Sequence, residues 1–154
     1  MGLSKKILLA VGIALIIIQF IQPVHNTSVR TLATDISKTV SISDSVLALL
    51  KITCYDCHSN NTDYPWYSNI QPMGWLMAYH IKRAKNELNF SEFGIYSQRR
   101  QLSKLDGIAN SIKYDIMPLS SYKLMHENAQ LGTFEKRLIY TWAQQSIDSL
   151  SIKN

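Results

Sequence analysis

Cysteine is scarce. The 154-residue chain has two, at positions 54 and 57, which is too few for the two well-spaced pairs of a four-cysteine zinc site. Strong charge is also missing. The formal net charge is +5 from 16 basic and 11 acidic residues. Lys5 and Lys6 account for two of the sixteen, and the other fourteen face eleven acidic residues, a net of +3 spread along the chain. That excludes a nucleic-acid footprint, and Arg99-Arg100 reads as a solvated helix face. No segment sustains period-two alternation, so a β fold is excluded. No constellation of acid–base residues stands out, so an enzyme is not expected. A chain of this length forms one small domain with room for an appendage.

One apolar run is present, and it is short. Residues 7–21 read ILLAVGIALIIIQFI and follow Lys5-Lys6. A helix of fifteen residues covers roughly 22 Å, against about 30 Å for a hydrocarbon core, so the length suits a signal-peptide core as well as a span. No Ala-x-Ala site follows, and no cysteine follows directly, which excludes a lipoprotein anchor. The expectation is an uncleaved signal anchor over residues 1–24, a single transmembrane helix in the inner membrane. Leu3 and Val24 extend its apolar reach, and the lysines keep its start, with Met1, in the cytoplasm. Residues 25–42 are polar and Ser/Thr-rich and read as a linker. Residues 43–154 then form a domain facing the periplasm.

That domain reads as all-α. A helix starts after Ser43 or Ser45, both N-cap types, and runs to the cysteines. Residues 59–72, SNNTDYPWYSNIQP, form a loop. Met73, Leu76, Met77, His80, Ile81, Ala84 and Leu88 recur at helical steps over 73–88 and predict an apolar face. Further helices cover about 97–114, ending before Pro118, and a last one from Thr133 that carries Phe134, Leu138, Trp142 and Ile147 on one side.

The cysteines stand in CYDCH. A redox dithiol needs a βαβ setting with its first cysteine at a helix start, and here the pair follows a helix. Zinc lacks ligands, since His80 and His126 are not paired at the required spacing. A disulfide across two residues is strained and leaves His58 without a role. Cys-x-x-Cys-His is the signature of c-type haem attachment. Each thiol adds across a haem vinyl, and the adjacent imidazole reaches the iron. Cys54 and Cys57 are therefore the expected covalent anchors of one haem c, and His58 the proximal ligand. Such attachment is made outside the cytoplasm, in agreement with export.

For the iron's other side, Met117 stands between a helix end and Pro118, which fixes the local backbone. Met73 and Met77 read as core, and Met125 lies in a weakly patterned stretch. His80, among apolar neighbours, is the alternative distal ligand. His25 falls at the membrane edge, and His126 reads as a surface or structural residue.

The segments CYDCHSNNTDYPWYSNIQPMGW, HIKRAKNELNFSEF, IMPLSSYKLMHENAQL and the closing TW resemble the small haem-binding domain proteins with a cytochrome c-type motif, seen widely in Bacteroidetes-like bacteria. The resemblance runs over about residues 45–145. It implies a cytochrome c-like helical haem domain and draws attention to His80 and Met117, but it implies no substrate. The loop after His58 departs from better-known cytochromes c in being acidic and aromatic. Tyr64, Trp66 and Tyr67 are candidates to cover the haem edge and exclude water, or to fill the core.

The expected activity is one-electron transfer by a membrane-anchored monohaem cytochrome serving redox partner proteins. The alternative is a haem-based sensor or a haem-bearing accessory subunit of a membrane redox complex. A firm sixth ligand favours the first, and a vacant or weak one the second.

Overall fold

The computed structural model describes residues 2–28 and 30–152. Met1, Val29 and the last two residues, placed above in the anchor, the linker and the domain's end, lie outside the described residues. Among the described residues the fold is all-helical, with no strand. The helices are α1 (Leu3–Ile18), α2 (Ile36–Thr39), α3 (Asp44–Thr53), α4 (Tyr55–His58), α5 (Met73–Glu87), α6 (Gln98–Lys113), α7 (Ser120–Met125) and α8 (Thr133–Ile152). Three 3₁₀ turns join them, at Trp66–Asn69, Phe90–Ile95 and Glu127–Ala129.

The core sits where α3, α6 and α8 meet the Phe90–Ile95 turn. Each helix offers a narrow buried stripe at steps of three and four. In α3 it is Val46, Leu50 and Thr53; in α6 Leu105, Ile108 and Ile112; in α8 Ile139, Trp142 and Ser146. Phe90 and Phe93, at 1% and 0% exposure, plug the bundle from its side. At roughly 2 kcal/mol or more per fully buried large side chain, this cluster is what holds the domain together. Polar groups drawn inside find partners: Trp142 Nε1 donates to the Ser41 carbonyl at 3.0 Å and Gln101 Nε2 to that of Phe93 at 3.2 Å. Ser43 caps α3, its hydroxyl accepting from the Val46 amide at 3.4 Å.

Several expectations need correction. The transmembrane helix is one. α1 has 16 residues, roughly 24 Å at the helical rise, and no helix among the described residues is long and apolar enough to cross a membrane. The linker is another. Ile36 is fully buried in the core, and Asp35 is buried, accepting hydrogen bonds from the Ser37 amide and the Tyr55 hydroxyl. The stretch 25–42 is therefore built into the domain, because its one strongly placed isoleucine and its Asp cap find partners there. The apolar stripe of α5 is divided. Ile81 and Leu88 are buried, whereas Met73 and Leu76 are 42% and 50% exposed, so Met73 is not core. Phe134 is likewise exposed, at the free start of α8.

The start of α5 rests directly on the turn before it. A Cβ at Gly74 would collide with the Ser68 carbonyl and come within 2.8 Å of Gln71 Nε2. Gly107, in the exposed middle of α6, has nothing within 4 Å of the same position. The two glycines should therefore respond with opposite sign. Gly74→Ala should cost about 1–3 kcal/mol by overpacking. Gly107→Ala should gain up to about 1 kcal/mol from helix propensity. Urea unfolding midpoints of the two variants check both signs.

Candidate functional site

Helix α3 stops at Thr53. Cys54 leaves helical geometry (φ −128°, ψ −40°), and α4 follows as a single turn. The Cys57 and His58 amides both return to the Cys54 carbonyl, at 3.2 and 2.9 Å. In one turn, positions i, i+3 and i+4 share a face, so Cys54, Cys57 and His58 look the same way. They look into a cavity of about 380 Å³. Its second wall is α5, through Tyr79, His80, Arg83, Ala84 and Glu87. Its third is the segment from Met117 to Leu119, with Tyr122 of α7 and Thr53 completing the lining. Cys54, Cys57, His58, His80 and Met117, dispersed over 64 positions, thus line one cavity.

The imidazole of His58 is set for ligation. Its Nδ1 lies 3.0 Å from the Leu88 carbonyl, free because α5 ends at Glu87. A carbonyl only accepts, so Nδ1 carries the hydrogen and Nε2 keeps its lone pair. Burial lowers the His58 pKa, while the Leu88 and Ala84 carbonyls and the charge of Glu87 act the other way. The ring is therefore neutral at neutral pH, the form that binds a metal.

The thiols are free and half-buried. Loss of water pushes Cys54 up to about 11, with the Thr53 hydroxyl, 3.2 Å from its Sγ, pulling back. Cys57 also rises to about 11, from burial first and then from the charges of Asp56 and Cys54. Both stay protonated at neutral pH, which restrains adventitious oxidation of the pair.

The Met117 segment is tied at both sides. The chain reverses at Asp115 (φ 56°), whose carboxylate lies 2.7 Å from Lys136 Nζ. The amides of Ile116 and Met117 then close on the Ser111 carbonyl at 2.9 and 3.3 Å. Beyond it, the Tyr122 hydroxyl lies 2.6 Å from Asp56 Oδ2, inside the CYDCH turn, and 3.1 Å from the Ile52 carbonyl. Burial, and after it the Asp56 hydrogen bond, holds the Tyr122 phenol well above its ordinary range. It is a donor at any physiological pH.

None of Tyr64, Trp66 and Tyr67 lines the cavity. Tyr64 stacks on His25 at 4.1 Å and accepts from the Asn26 amide at 2.8 Å. Trp66 is 77% exposed and meets Tyr67 edge-on. Tyr67 approaches through an intermediary: it lies edge-on to His126, which stacks on Tyr122 at 4.1 Å. The sequence reading missed Thr53, Tyr79, Arg83, Ala84, Glu87 and Tyr122 as lining residues. Arg83, Ala84 and Glu87 were within reach, since they follow His80 at helical steps, whereas Tyr79 directly precedes it. Tyr122 was not, because six-residue α7 lacks a pattern.

Comparison with known families now bears directly on this cavity. The signature of a haem-binding domain matches residues 13–145. The chain belongs to the haem-binding domain family. Neither a curated protein nor a solved structure matches it. The match spans every residue of the cavity, from Thr53 to Tyr122. The lining also fits the group chemically. Among the described residues, no three His, Cys, Asp or Glu side chains gather as they would for a bare metal ion. Instead two thiols, a neutral imidazole, a thioether and a second imidazole are spread around an extended space, as a macrocycle with a central iron requires.

The thiol environment can be tested without haem. A shift from 9.0 to about 11 leaves roughly 100-fold less thiolate in folded than in unfolded protein near pH 8. Iodoacetamide alkylation of the folded chain should be slower by about that factor. Its rate should still climb tenfold per pH unit between 7.5 and 9.5, where an exposed thiol levels off.

Proposed function

We propose that the chain is a monohaem c-type electron carrier. The carrying observation is that Cys54, Cys57 and His58 share one cavity with Met117 and His80. In this reading Cys54 and Cys57 form the thioethers to one haem c, and His58 Nε2 is the proximal ligand. Haem, when bound, supplies a one-electron ferric/ferrous couple, and the protein contributes binding, orientation and surroundings. The Leu88 carbonyl holds the imidazole in its binding tautomer. The Thr53 hydroxyl steadies Cys54 Sγ. The Tyr122–Asp56 bond keeps the Met117 segment against the CYDCH turn.

Met117 is the preferred distal ligand and His80 the alternative. His58 leans on the end of α5, and His80 belongs to that same helix. Met117 arrives from a separate segment with its own backbone ties, which suits a ligand to the other face. With His58 and Met117 both available to hold haem iron, the reading is electron transfer to redox partner proteins rather than catalysis. Of the aromatic trio, Tyr67 is assigned to shielding the cavity edge, through His126 and Tyr122.

We also infer attachment to the inner membrane, with the domain on its periplasmic side. The support is that α1 is apolar and that none of its side chains is buried by the rest of the chain. The need for haem attachment outside the cytoplasm points the same way.

Absorption spectra of the purified ferric protein test the ligands. The wild type should show the weak far-red band of a methionine–iron bond, lost in Met117→Ala and kept in His80→Ala. Conversion of His80→Ala to high spin, with the Met117→Ala spectrum unchanged, would assign His80 instead. A high-spin wild type would favour the sensor reading. Acid-acetone should extract the haem from Cys54→Ala/Cys57→Ala and leave it on the wild type.

A further inference from the structure

The cavity is electrically lopsided. Only two lining residues carry full charges, Arg83 and Glu87, both on α5. Glu87 lies at the His58 end. Its charge acts on that imidazole, and its carboxylate stands 3.8 Å from Lys104. Arg83, one turn back, has no carboxylate partner among the described residues. Its Nη1 lies 3.3 Å from the Tyr79 hydroxyl, and its guanidinium stands 5.7 Å from the Tyr79 ring centroid. The side chain is thus held along the cavity wall, with most of its donors uncommitted.

Resting on the haem assignment above, we propose that Arg83 and Tyr79 form the carboxylate-recognition corner of the cavity and fix the orientation in which the haem enters. The chemistry of the ligand makes this polarity useful. Haem carries its two propionates on one edge of the macrocycle and its vinyl groups elsewhere. The vinyls must meet Cys54 and Cys57, so the propionates must point away from them. A guanidinium fork accepts a carboxylate in two hydrogen bonds, and a phenol adds one more donor. Glu87, one turn further along the same helix, repels a propionate. On α5, Arg83 precedes Leu88, the partner of His58, by five residues, roughly 7.5 Å along the axis. That offset places the cation beyond the iron ligand rather than over it. A haem turned the wrong way would set a propionate against Glu87 and leave a thiol without a vinyl.

The test uses two probes on the full-length haem-free chain in detergent. One is iron(III) mesoporphyrin IX, whose ethyl groups cannot react with the thiols. The other is its dimethyl ester, which lacks the carboxylates. The wild type should bind the diacid about two- to fivefold more tightly than the ester, the scale expected of exposed charge-assisted pairs. Arg83→Gln should bring that ratio close to one without weakening ester binding, and Arg83→Lys should keep part of it. Glu87→Gln should raise the ratio or leave it unchanged. A wild-type ratio of one, or a ratio that survives in Arg83→Gln, overturns the corner while leaving the haem site standing. Failure of the wild type to bind either porphyrin overturns the haem reading and the corner together. Arg83 is exposed and bonds only Tyr79, so its variants keep the fold.

Discussion

The site depends on one hydrogen bond, from His58 Nδ1 to the Leu88 carbonyl. It joins α4 to the end of α5, beside the hydrogen bonds of Asn60 to Asn89 and to the Ser91 hydroxyl. α4 is a single turn, far too short to hold its own geometry in water. α5 is fifteen residues long and ends where its carbonyls lose their partners. The imidazole takes one of those carbonyls and so borrows the rigidity of the longer helix. The same contact selects the tautomer, leaves Nε2 free and turns the thiols, on the same face of α4, toward the α5 wall. Without it the turn would still carry the right residues and keep its Asp56 tie to Tyr122, but its imidazole would lose its aim.

Around that contact, the remaining wall is held by polar ties rather than by packing. Met117 sits beyond the end of α6, where Asp115 takes a left-handed turn stabilised by Lys136. Tyr122 then reaches back to Asp56, between the two cysteines. Such a hydrogen bond contributes about 1 kcal/mol net, more where an ionised acceptor is partly buried. That is small beside the core formed by α3, α6 and α8. The bundle supplies stability, and the segment opposite α4 is fastened by contacts weak enough to be remade.

How much of this could be read from the sequence varies with the range of the interaction. The long helices were legible, because a stripe such as Leu105, Ile108 and Ile112 states its own period. The motif was legible as well, because i, i+3, i+4 chemistry is local. The family match bears out the haem, and the cavity unites the motif with Met117 and His80. What stayed hidden was set by contacts across long gaps. Tyr122 pairs with Asp56 over 66 positions, and Tyr64 turns from the cavity toward His25 and Asn26. Aromatic residues next to a cofactor motif look like its cover, yet only tertiary partners decide which ring faces where. The polar stretch 25–42 misled for a related reason. Its composition is that of a linker, but Asp35 is held by Ser37 and Tyr55 and Ile36 enters the core.

The N-terminal segment gains meaning from the same helix that holds the His58 imidazole. Gln19 exchanges two hydrogen bonds with the backbone of Gln71, at 2.9 and 3.2 Å. Gln22 donates to the Asn69 carbonyl and accepts from Gln71 Nε2, while Trp75 Nε1 donates to the carbonyl of Ile21. Residues 19–22 are thereby fixed to the start of α5, as His58 is fixed to its end. An apolar helix hung on a loose linker would leave the cavity free to face any direction. Tied to α5, it sets the orientation of the cavity wall relative to whatever covers α1. Gln71, 3% exposed, is the hinge of that arrangement, and its buried amide is tolerable because both of its polar atoms are paired. The two glutamines that interrupt the end of the apolar run are therefore not blemishes in an anchor. They are the points at which an apolar helix is joined to the helix that walls the cavity.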